Sequence, residues 1–323
     1  NNNNYPITIT NDRNYDLSDL PGTFDFNKAS NWSGGTVSGN ILTVDHDKDS
    51  VTYTYDCGNG KTANFTLTVE KRVDEQFTLA PGGRYYFDLS AMDIPGTANS
   101  NLPDNTLHYV PFTYVGTVNA YSLKNEADND TTSYEHSLFI ANYNVTHTVS
   151  WNGLNDEGLI FGKNYASGGV DYTLRAPSVG SNATGSGDSQ RGVPQSNEWD
   201  TMLNKNSGYI KNWNGIYSWG QDTTRYNSSF RAVRGFISAR LWGIDNAASS
   251  DPNVVFRPVL EILNPDTLGS DGLKVVTLDL GGGTLGNSSE DIQIIVKTGS
   301  EFTAPASDGL TRPDGDTGSY FMW

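Results

Sequence analysis

The sequence lacks the features that stabilise small disulfide-bonded domains or cross a membrane. It contains one cysteine, Cys57, which excludes an intrachain disulfide and a cysteine-rich zinc site. No stretch approaches the roughly 18 consecutive apolar residues that a membrane-spanning helix requires. The chain is therefore expected to depend on burial of apolar side chains, and we predict no membrane insertion within it.

Positive charge is also scarce. The chain carries 21 Lys and Arg against 37 Asp and Glu, for a net charge of −16. The acidic excess is spread along the chain, and Lys and Arg form no cluster. Nucleic-acid and anionic-membrane partners need such clusters, so the composition argues against both.

Common catalytic motifs are missing as well. There is no Gly-x-Ser-x-Gly, His-Glu-x-x-His or Gly-x-x-x-x-Gly-Lys pattern, which removes the usual nucleophile, metalloprotease and phosphate-binding signatures. The run Gly281-Gly282-Gly283 follows a strand pattern but precedes no helix pattern, which indicates a turn. We predict a protein that is not an enzyme and that needs no cofactor or metal ion.

What the chain does contain is a polar, aromatic and turn-rich mixture, with 34 Gly and 17 Tyr among its 323 residues. This composition is typical of short strands joined by many loops. It predicts an α+β, predominantly β protein. The patterns along the chain divide it into three domains, residues 1–72, 73–264 and 265–323.

The first domain has the pattern of a β-sandwich. Hydrophobic and polar residues alternate over Val51–Tyr55 and again over Phe65–Val69. Between them, Asn59-Gly60 supplies the two positive φ angles of a type I′ hairpin turn. In pattern this domain resembles the bacterial immunoglobulin-like modules of surface proteins, which implies a spacer.

The central domain has one predicted helix among strands and long loops. Ser196 is the expected N-cap of a helix over Asn197–Asn204, with Trp199, Met202 and Leu203 on its apolar face. A strand is predicted over Thr146–Trp151.

Three pieces of this domain carry a resemblance: Tyr172–Pro177 followed by Pro194–Trp199, then Phe230–Gly235, then Phe256–Val259. In order and spacing they are similar to the C-type lectin-like fold, in the branch shared by formylglycine-generating enzymes and retroelement-diversified variable proteins. The resemblance covers Arg84–Leu263. It implies a scaffold that displays a binding surface.

Departures from that family narrow the implied function. The domain has no cysteine pair for formylglycine chemistry, and its three histidines form no clustered array. Trp151-Asn152-Gly153 and Trp213-Asn214-Gly215 both lack the second carboxylate of the calcium-binding lectin motif. The resemblance therefore implies the scaffold without its enzymatic or calcium-lectin chemistry.

The third domain, residues 265–323, contains LDLGGGTLG, IIVKTGSEFTAP and a final YFMW. This pattern resembles the β-grasp repeats of bacterial surface proteins, in a copy that is cut short. The alternative is a C-terminal hairpin particular to this chain. In both cases we expect a connector.

The chain is organised around the stretch from Trp213 to Leu263, and we expect binding through the surface of Trp213–Asn253. A strand over Phe230–Val233 and another over Val254–Leu263 enclose an irregular excursion, and such loops on rigid strands concentrate binding residues. Its aromatic residues are either a ligand platform or core. We expect Trp213 and Trp219 in the core and Phe236, Leu241 and Trp242 on display. The predicted ligand-binding residues are Trp213, Tyr217, Tyr226, Phe236, Ile237, Leu241, Trp242, Ile244, Asp245 and Asn246.

Other polar residues have two interpretations each. Arg234, Arg240 and Arg257 contact an acidic ligand or, as we favour, tie carboxylates and carbonyls together inside the fold. The residues Asp128, Asp130 and Glu135 form a calcium site or, as we favour, a solvated loop. The residues His136 and His147 form a proton relay or, as we favour, are ordinary polar positions.

Together these patterns favour a non-enzymatic adhesin or receptor-binding protein on a bacterial cell surface, with its anchor outside this sequence. Its partner would be a protein or glycan ligand on another cell, phage or host surface. The alternative is a calcium-independent carbohydrate-binding module or other glycan-directed surface protein. A third hypothesis is a purely structural stalk.

Overall fold

A computed structural model describes most of the chain, which divides into two compact units. The described residues are 8–10, 14–17, 25–45, 50–70, 76–77, 79–184, 191–263, 265, 272–302 and 309–313. One unit comprises Asn1–Asp74 and the other Glu75–Trp323. Strands greatly outnumber helices in these residues, which confirms the prediction of a predominantly β chain.

In the Asn1–Asp74 unit, two sheets share one core. Its strands are β1 (Thr8–Thr10), β2 (Asn14–Asp16), β3 (Ala29–Ser33), β4 (Gly35–Ser38), β5 (Ile41–Val44), β6 (Ser50–Gly58) and β7 (Lys61–Glu70), with a 3-10 turn at Phe26–Lys28. One sheet has the order β1-β7-β6-β3 and the other β2-β5-β4. Leu42 and Val44 of one sheet cluster with Val51, Tyr53 and Leu67 of the other, because alternate residues of each strand face inward.

The turn between β6 and β7 matches its sequence signal. Gly58 pairs with Lys61, which leaves a two-residue loop. Asn59 has φ 55° and Gly60 has φ 71°. Positive φ at both central residues is the requirement of a type I′ turn, so the predicted hairpin is confirmed.

The Glu75–Trp323 unit holds the remaining elements. Up to residue 205 they are β8 (Arg84–Phe87), β9 (Thr97–Ala98), β10 (Val110–Ala120), β11 (Tyr134–Ala141), β12 (Thr146–His147), α1 (Trp151–Asp156), β13 (Lys163–Ser167), β14 (Val170–Arg175), β15 (Asn182–Ala183), β16 (Gly192–Val193) and α2 (Glu198–Lys205). After it they are β17 (Tyr217–Thr223), β18 (Phe230–Gly235), β19 (Trp242–Asn246), β20 (Val254–Val255), β21 (Val259–Ile262), β22 (Leu273–Leu278), β23 (Thr284–Leu285), β24 (Ile292–Lys297) and β25 (Leu310–Thr311).

A six-stranded antiparallel sheet, in the order β13-β14-β21-β11-β10-β8, is the centre of this unit. Phe139 and Leu260 project into one hydrophobic cluster. Leu138, Ile140 and Val259 project into a second cluster on the other face. Both faces of the central strands are buried, so β10 is buried along nearly its whole length, whereas the edge strand β13 alternates between half-buried and exposed residues.

A four-stranded sheet, in the order β19-β18-β17-β20, carries the predicted binding region. Trp219 and Val233 are paired neighbours that pack into the first cluster. Ala232 and Trp242 pack into the second cluster. The two cores therefore pack against this sheet from opposite sides, and its edge strands are β19 and β20.

Helix α2 begins one residue later than predicted. Its N-cap is Asn197 instead of Ser196, and the Asn197 side chain accepts a hydrogen bond from the Asp200 backbone N–H. Asparagine caps helices as well as serine does, so composition alone does not separate the two positions. The predicted apolar face of Trp199, Met202 and Leu203 is buried, as expected.

Helix α1 was not predicted, and the expected strand over Thr146–Trp151 is wrong in its second half. Only Thr146–His147 pair as a strand. Ser150 then caps α1 by accepting a hydrogen bond from the Gly153 backbone N–H. Trp151 opens the helix with its side chain fully buried. The helix has six residues, too short for its apolar spacing to be distinctive.

The expected excursion between two strands is also more regular than predicted. It contains β19, which pairs with β18 from Phe230 to Arg234. The predicted strand Val254–Leu263 divides instead into β20 and β21, which belong to different sheets. Pro258 lacks a backbone N–H, and a proline interrupts strand pairing at such a crossing.

The C-terminal strands belong to the same compact unit as the six-stranded sheet. Strand β22 pairs with β24, and β23 pairs with β25. Leu278, Ile292 and Ile294 share a hydrophobic cluster with Tyr86 and Tyr109. This cluster contains residues from both sides of the boundary predicted between residues 264 and 265. The final YFMW run lies outside the described residues.

Candidate functional site

Arg234 is the main anchor of the predicted binding region. Its guanidinium is fully buried and donates to both Asp200 carboxylate oxygens, at 2.7 and 3.0 Å. It also donates to the carbonyl oxygens of Val179 and Arg240, each at 3.0 Å. Burial acts to raise the pKa of Asp200, but Arg234 holds it below its ordinary value. Arg234 thus ties α2 to the sheet.

Arg257 has a similar structural role without a carboxylate. It donates to Ser218 Oγ at 3.2 Å and to the carbonyl oxygens of Ala141 and Asn212 at 2.9 and 2.8 Å. Burial lowers the pKa of Arg257 to about 9, which still leaves it charged at neutral pH. The structural interpretation of Arg234 and Arg257 is confirmed, because protein oxygens surround both groups.

Arg240 also bonds within the protein. It is half-buried and donates to Asn204 Oδ1 at 3.1 Å and to the Leu203 carbonyl oxygen at 3.2 Å. It therefore joins the end of α2 to the β18–β19 connection.

A second buried charge network surrounds Glu198. Arg175 donates to both Glu198 oxygens at 2.6 and 2.8 Å and to Glu261 at 2.7 Å. His136 Nε2 lies 2.7 Å from Glu198, and its Nδ1 lies 3.0 Å from the Tyr134 carbonyl oxygen. The His136 ring therefore contacts a carboxylate through one nitrogen and a backbone carbonyl oxygen through the other. Burial acts to raise the pKa of Glu198, but Arg175 and His136 lower it to about 2.

This network corrects the expectation for His136. The residue is not an ordinary polar position, since its side chain is 3% exposed and bonded at both nitrogens. His147 differs, because its Nδ1 meets the Thr148 hydroxyl at 2.8 Å in an exposed setting. No local sequence pattern indicates the His136–Glu198 pair, because the two residues are 62 positions apart in the chain.

The ten predicted ligand-binding residues do not share one face of the sheet. Tyr217 packs beside the first cluster, and its ring stacks on Phe236. Trp242 packs into the second cluster, with Tyr226 beside it at a ring-centroid distance of 6.2 Å. Ile244 follows Trp242 by two residues, so both project from the same side of β19. The set is thus divided by the sheet that carries it.

The predicted ligand-binding residues also differ in burial, and two that were expected on the surface are buried. Trp242 is 3% exposed and Leu241 is 9% exposed, so neither is on display. Trp242 fills the second cluster and donates from Nε1 to the Gly180 carbonyl oxygen at 2.7 Å. The predicted core position of Trp219 is confirmed, and Trp213 is half-buried against the second cluster. The exposed members of the set are Tyr226, Phe236, Ile237, Ile244 and Asn246, and Tyr217 and Asp245 are half-buried.

Phe236 stands out by its backbone as well as its exposure. Its φ angle is 82°, a region that bulky side chains rarely adopt. Its ring is 37% exposed and lies parallel to Tyr217 at a centroid distance of 5.0 Å. The Phe236 N–H donates to the Trp213 carbonyl oxygen, and its own carbonyl oxygen accepts from the Gly215 N–H. Backbone bonds therefore hold the aromatic pair at the surface.

Gly235 makes this geometry possible. Its φ angle is 116°, and a Cβ at this position would lie 2.6 Å from the Ile216 carbonyl oxygen. Only glycine fits both conditions. The Arg234-Gly235 pair therefore combines a buried anchor with a sharp exit from β18.

The acidic loop has the geometry of a self-bonded turn. The Asp128 carboxylate accepts from the backbone N–H groups of Lys124 and Asp130, and Asp130 accepts from that of Thr132. Within the described ranges, no group of three or more His, Cys, Asp or Glu side chains is placed to hold a metal ion. None of the helices described is long and apolar enough to cross a bilayer.

Two clefts lie where the C-terminal strands meet the six-stranded sheet, and no residue of the predicted set lines them. One, of about 370 Å³, is lined by polar groups that include Arg84 and Glu290, which form an ion pair. The other, of about 400 Å³, is lined by Tyr86, Tyr109 and Phe302 together with acidic and amide side chains. Sequence reasoning missed both, because their walls come from distant segments.

Comparisons of the chain with protein-family models, with curated proteins and with solved structures find no match. The C-type lectin-like, immunoglobulin-like and β-grasp resemblances stay predictions.

Proposed function

We propose that this chain is a non-enzymatic adhesin or receptor-binding protein of a bacterial cell surface, whose lectin-like head displays a ligand-binding face. The immunoglobulin-like unit would act as its stalk and the C-terminal strands as a connector. The observation that carries this proposal is the stacked aromatic pair of half-buried Tyr217 and exposed Phe236, with Phe236 at positive φ.

Strain and exposure together favour a binding role for this pair. An unusual φ persists only where surrounding structure enforces it, and such positions concentrate at ligand-binding sites. Exposed aromatic rings supply large contact areas with little loss of side-chain entropy on binding. Ile237 adds an apolar side chain that is 52% exposed directly beside the pair.

The contrast between buried arginines and exposed apolar side chains supports a binding face that is diversified between strains. Arg234 and Arg257 are fully buried, whereas Phe236, Ile237 and Ile244 are exposed. Backbone hydrogen bonds hold the exposed segment, so its side chains are free to differ while its shape is retained. A ligand face that varies between strains needs this arrangement.

Sequencing tests the diversified form directly. The coding segment for Trp213–Leu263 would be compared across many sibling strains. We expect substitutions at Phe236, Ile237, Ile244 and Asn246, with Arg234 unchanged. Substitutions spread evenly over the domain would contradict a diversified face.

A display experiment tests whether this surface tolerates exchange. The chain would be displayed on yeast with Phe236, Ile237, Ile244 and Asn246 randomised, and retention of the fold read from protease resistance. We expect most variants to remain folded. A matched library randomised at buried Trp242 should be mostly unfolded, and equal loss in both libraries would sink the assignment of these positions to a displayed surface.

A glycan array distinguishes the protein-ligand form from the carbohydrate alternative. The alternative draws support from the same pair, because flat rings stack on sugars and Asp245 and Asn246 offer hydroxyl partners. Glycan binding that Phe236→Ala abolishes would favour it. Phe65→Ala is the matched control, since Phe65 is 38% exposed and lies in the other compact unit.

A further inference from the structure

The cleft of about 400 Å³ combines aromatic side chains with carboxylate and amide groups. Its volume lies within the roughly 300–1,000 Å³ of small-ligand pockets. Its walls come from β8 and the segment after it, from the residue before β10, from the β13–β14 hairpin, and from β24 and the segment after it.

Aromatic side chains form one part of this lining. Phe302 lines the cleft and is 38% exposed. Tyr165 is half-buried, and hydrogen bonds to Ser167 and to the Asp88 backbone hold its phenol. Tyr109 is 4% exposed and has φ 53°, an unusual backbone angle for an aromatic residue. Rigid rings of this kind suit stacking on a flat apolar face.

Hydrogen-bonding groups form the other part. The Asp88 carboxylate is 38% exposed, and it already accepts bonds from Ser90 and from His108. Burial acts to raise the pKa of Asp88, but these bonds keep it below its ordinary value, so it is an ionised acceptor. Asn164 is exposed, and its amide offers both a donor and an acceptor. Glu301 adds a second carboxylate.

The charge of this lining selects among ligand classes. It contains two carboxylates, and none of its described residues is Lys or Arg, so an anionic ligand is disfavoured. A cation would leave the Asn164 donor unused. A neutral sugar can use the aromatic rings, the carboxylates and the Asn164 amide together. Its hydroxyls donate and accept hydrogen bonds, and its C–H face stacks on an aromatic ring.

We propose that this cleft binds a neutral saccharide, with Phe302 and Tyr165 contacting the sugar ring and Asp88, Asn164 and Glu301 bonding its hydroxyls. The site uses no residue of the Tyr217–Phe236 face. It stands or falls independently of the ligand proposed for that face.

The test measures saturation-transfer NMR signals from neutral glycosides added to the whole 323-residue protein. The probes are the methyl glycosides of glucose, galactose and mannose, together with N-acetylglucosamine, each at millimolar concentration. Glucuronate and tetramethylammonium serve as anionic and cationic comparisons. We expect saturation transfer to at least one neutral sugar and to neither ion.

Three variants locate the site. Phe302→Ala and Asp88→Asn should each weaken binding about tenfold or more, as expected for loss of a central contact. Phe65→Ala, at the same 38% exposure in the other unit, should bind as the unchanged protein does. Circular dichroism would confirm that all three variants are folded.

Three results would overturn the proposal. One is the absence of saturation transfer to every neutral sugar tested. Another is sugar binding that Phe302→Ala and Asp88→Asn leave unchanged, which would place the site elsewhere. The third is a preference for tetramethylammonium or glucuronate over the sugars, which would assign the cleft to a charged ligand.

Discussion

Arg234 and Phe236 are two residues apart and differ in almost every physical respect. Arg234 is fully buried, and its guanidinium donates to a carboxylate and to two carbonyl oxygens. Phe236 is 37% exposed, at positive φ, and its position depends on backbone hydrogen bonds. The buried charge determines the shape of this region, whereas the exposed side chain determines only what the region can contact.

The same division runs through the whole binding region. The buried part, which we call the frame, contains Glu198 and Asp200 of α2, and both are fully buried and paired with arginines. The exposed part is the β18–β19 connection, in which Phe236 and Ile237 are exposed. Buried pairs of this kind are costly to break, and exposed apolar residues are inexpensive to exchange.

The largest expected effect separates two neighbours on β19. Trp242→Ala should lower the free energy of unfolding by about 3–5 kcal/mol, because it empties a filled site in the second cluster. Ile244→Ala should change it by only about 0.5 kcal/mol, because Ile244 is 44% exposed. Chemical denaturation of both variants checks this. Similar losses at the two positions would remove the distinction between frame and surface on this strand.

A comparable loss is expected from the frame itself. Asp200→Ala leaves Arg234 buried without its carboxylate, which should cost about 3–5 kcal/mol. The control is Glu157→Ala, which removes a partly exposed ion pair with Lys163 at 3.9 Å and should cost under about 1 kcal/mol. The measurement is again denaturant unfolding. An Asp200 variant no weaker than the control would show that the buried pair contributes little.

Acid should weaken the frame through Glu198. Its pKa is lowered from 4.5 to about 2, so its contribution is complete above about pH 4.5 and is lost as pH falls toward 2. The span corresponds to a loss on the order of 3 kcal/mol. Unfolding free energies would be measured across this range for the unchanged protein and for Glu198→Gln. The free energy of unfolding of Glu198→Gln should fall less steeply as the pH is lowered. Parallel curves for the two proteins would contradict the lowered pKa of Glu198.

The smallest expected effect is that the Gly and Ala variants have opposite orders of stability at two exposed phenylalanine positions. At Phe236, the Gly variant should be about 1 kcal/mol more stable than the Ala variant, because alanine is strained at φ 82°. At Phe65, within strand β7, the Ala variant should be the more stable by about 0.5–1 kcal/mol. Thermal unfolding of the four variants measures both differences. The same order at both sites would mean that Phe236 is not strained.

Local patterns proved reliable where local physics decides the structure. The Asn59-Gly60 turn needs two positive φ angles that few other residue pairs adopt, and it formed as predicted. The apolar face of α2 was evident from spacing alone. The interpretation of Arg234 and Arg257 as structural forks also held, since a guanidinium among apolar strand residues must find oxygen partners.

Predictions failed where distant segments compete for the same residue. Nothing in the local sequence distinguishes Trp242, which fills a core under the Gly180 carbonyl oxygen, from Ile244, which is exposed. Both lie on β19 and both are large and apolar. His136 likewise looked ordinary until the fold brought it against Glu198.

The sequence by itself determined the β-rich class, the hairpin turn, the helix that carries Glu198 and Asp200, and the structural role of Arg234 and Arg257. These follow from backbone preferences and from the cost of burying unpaired charge, which act over a few residues. Only the tertiary structure decided which aromatic residues are exposed, which carboxylate meets which arginine, and where the clefts lie. Those outcomes depend on contacts between segments far apart in the chain, and a local pattern holds no information about which segments will meet.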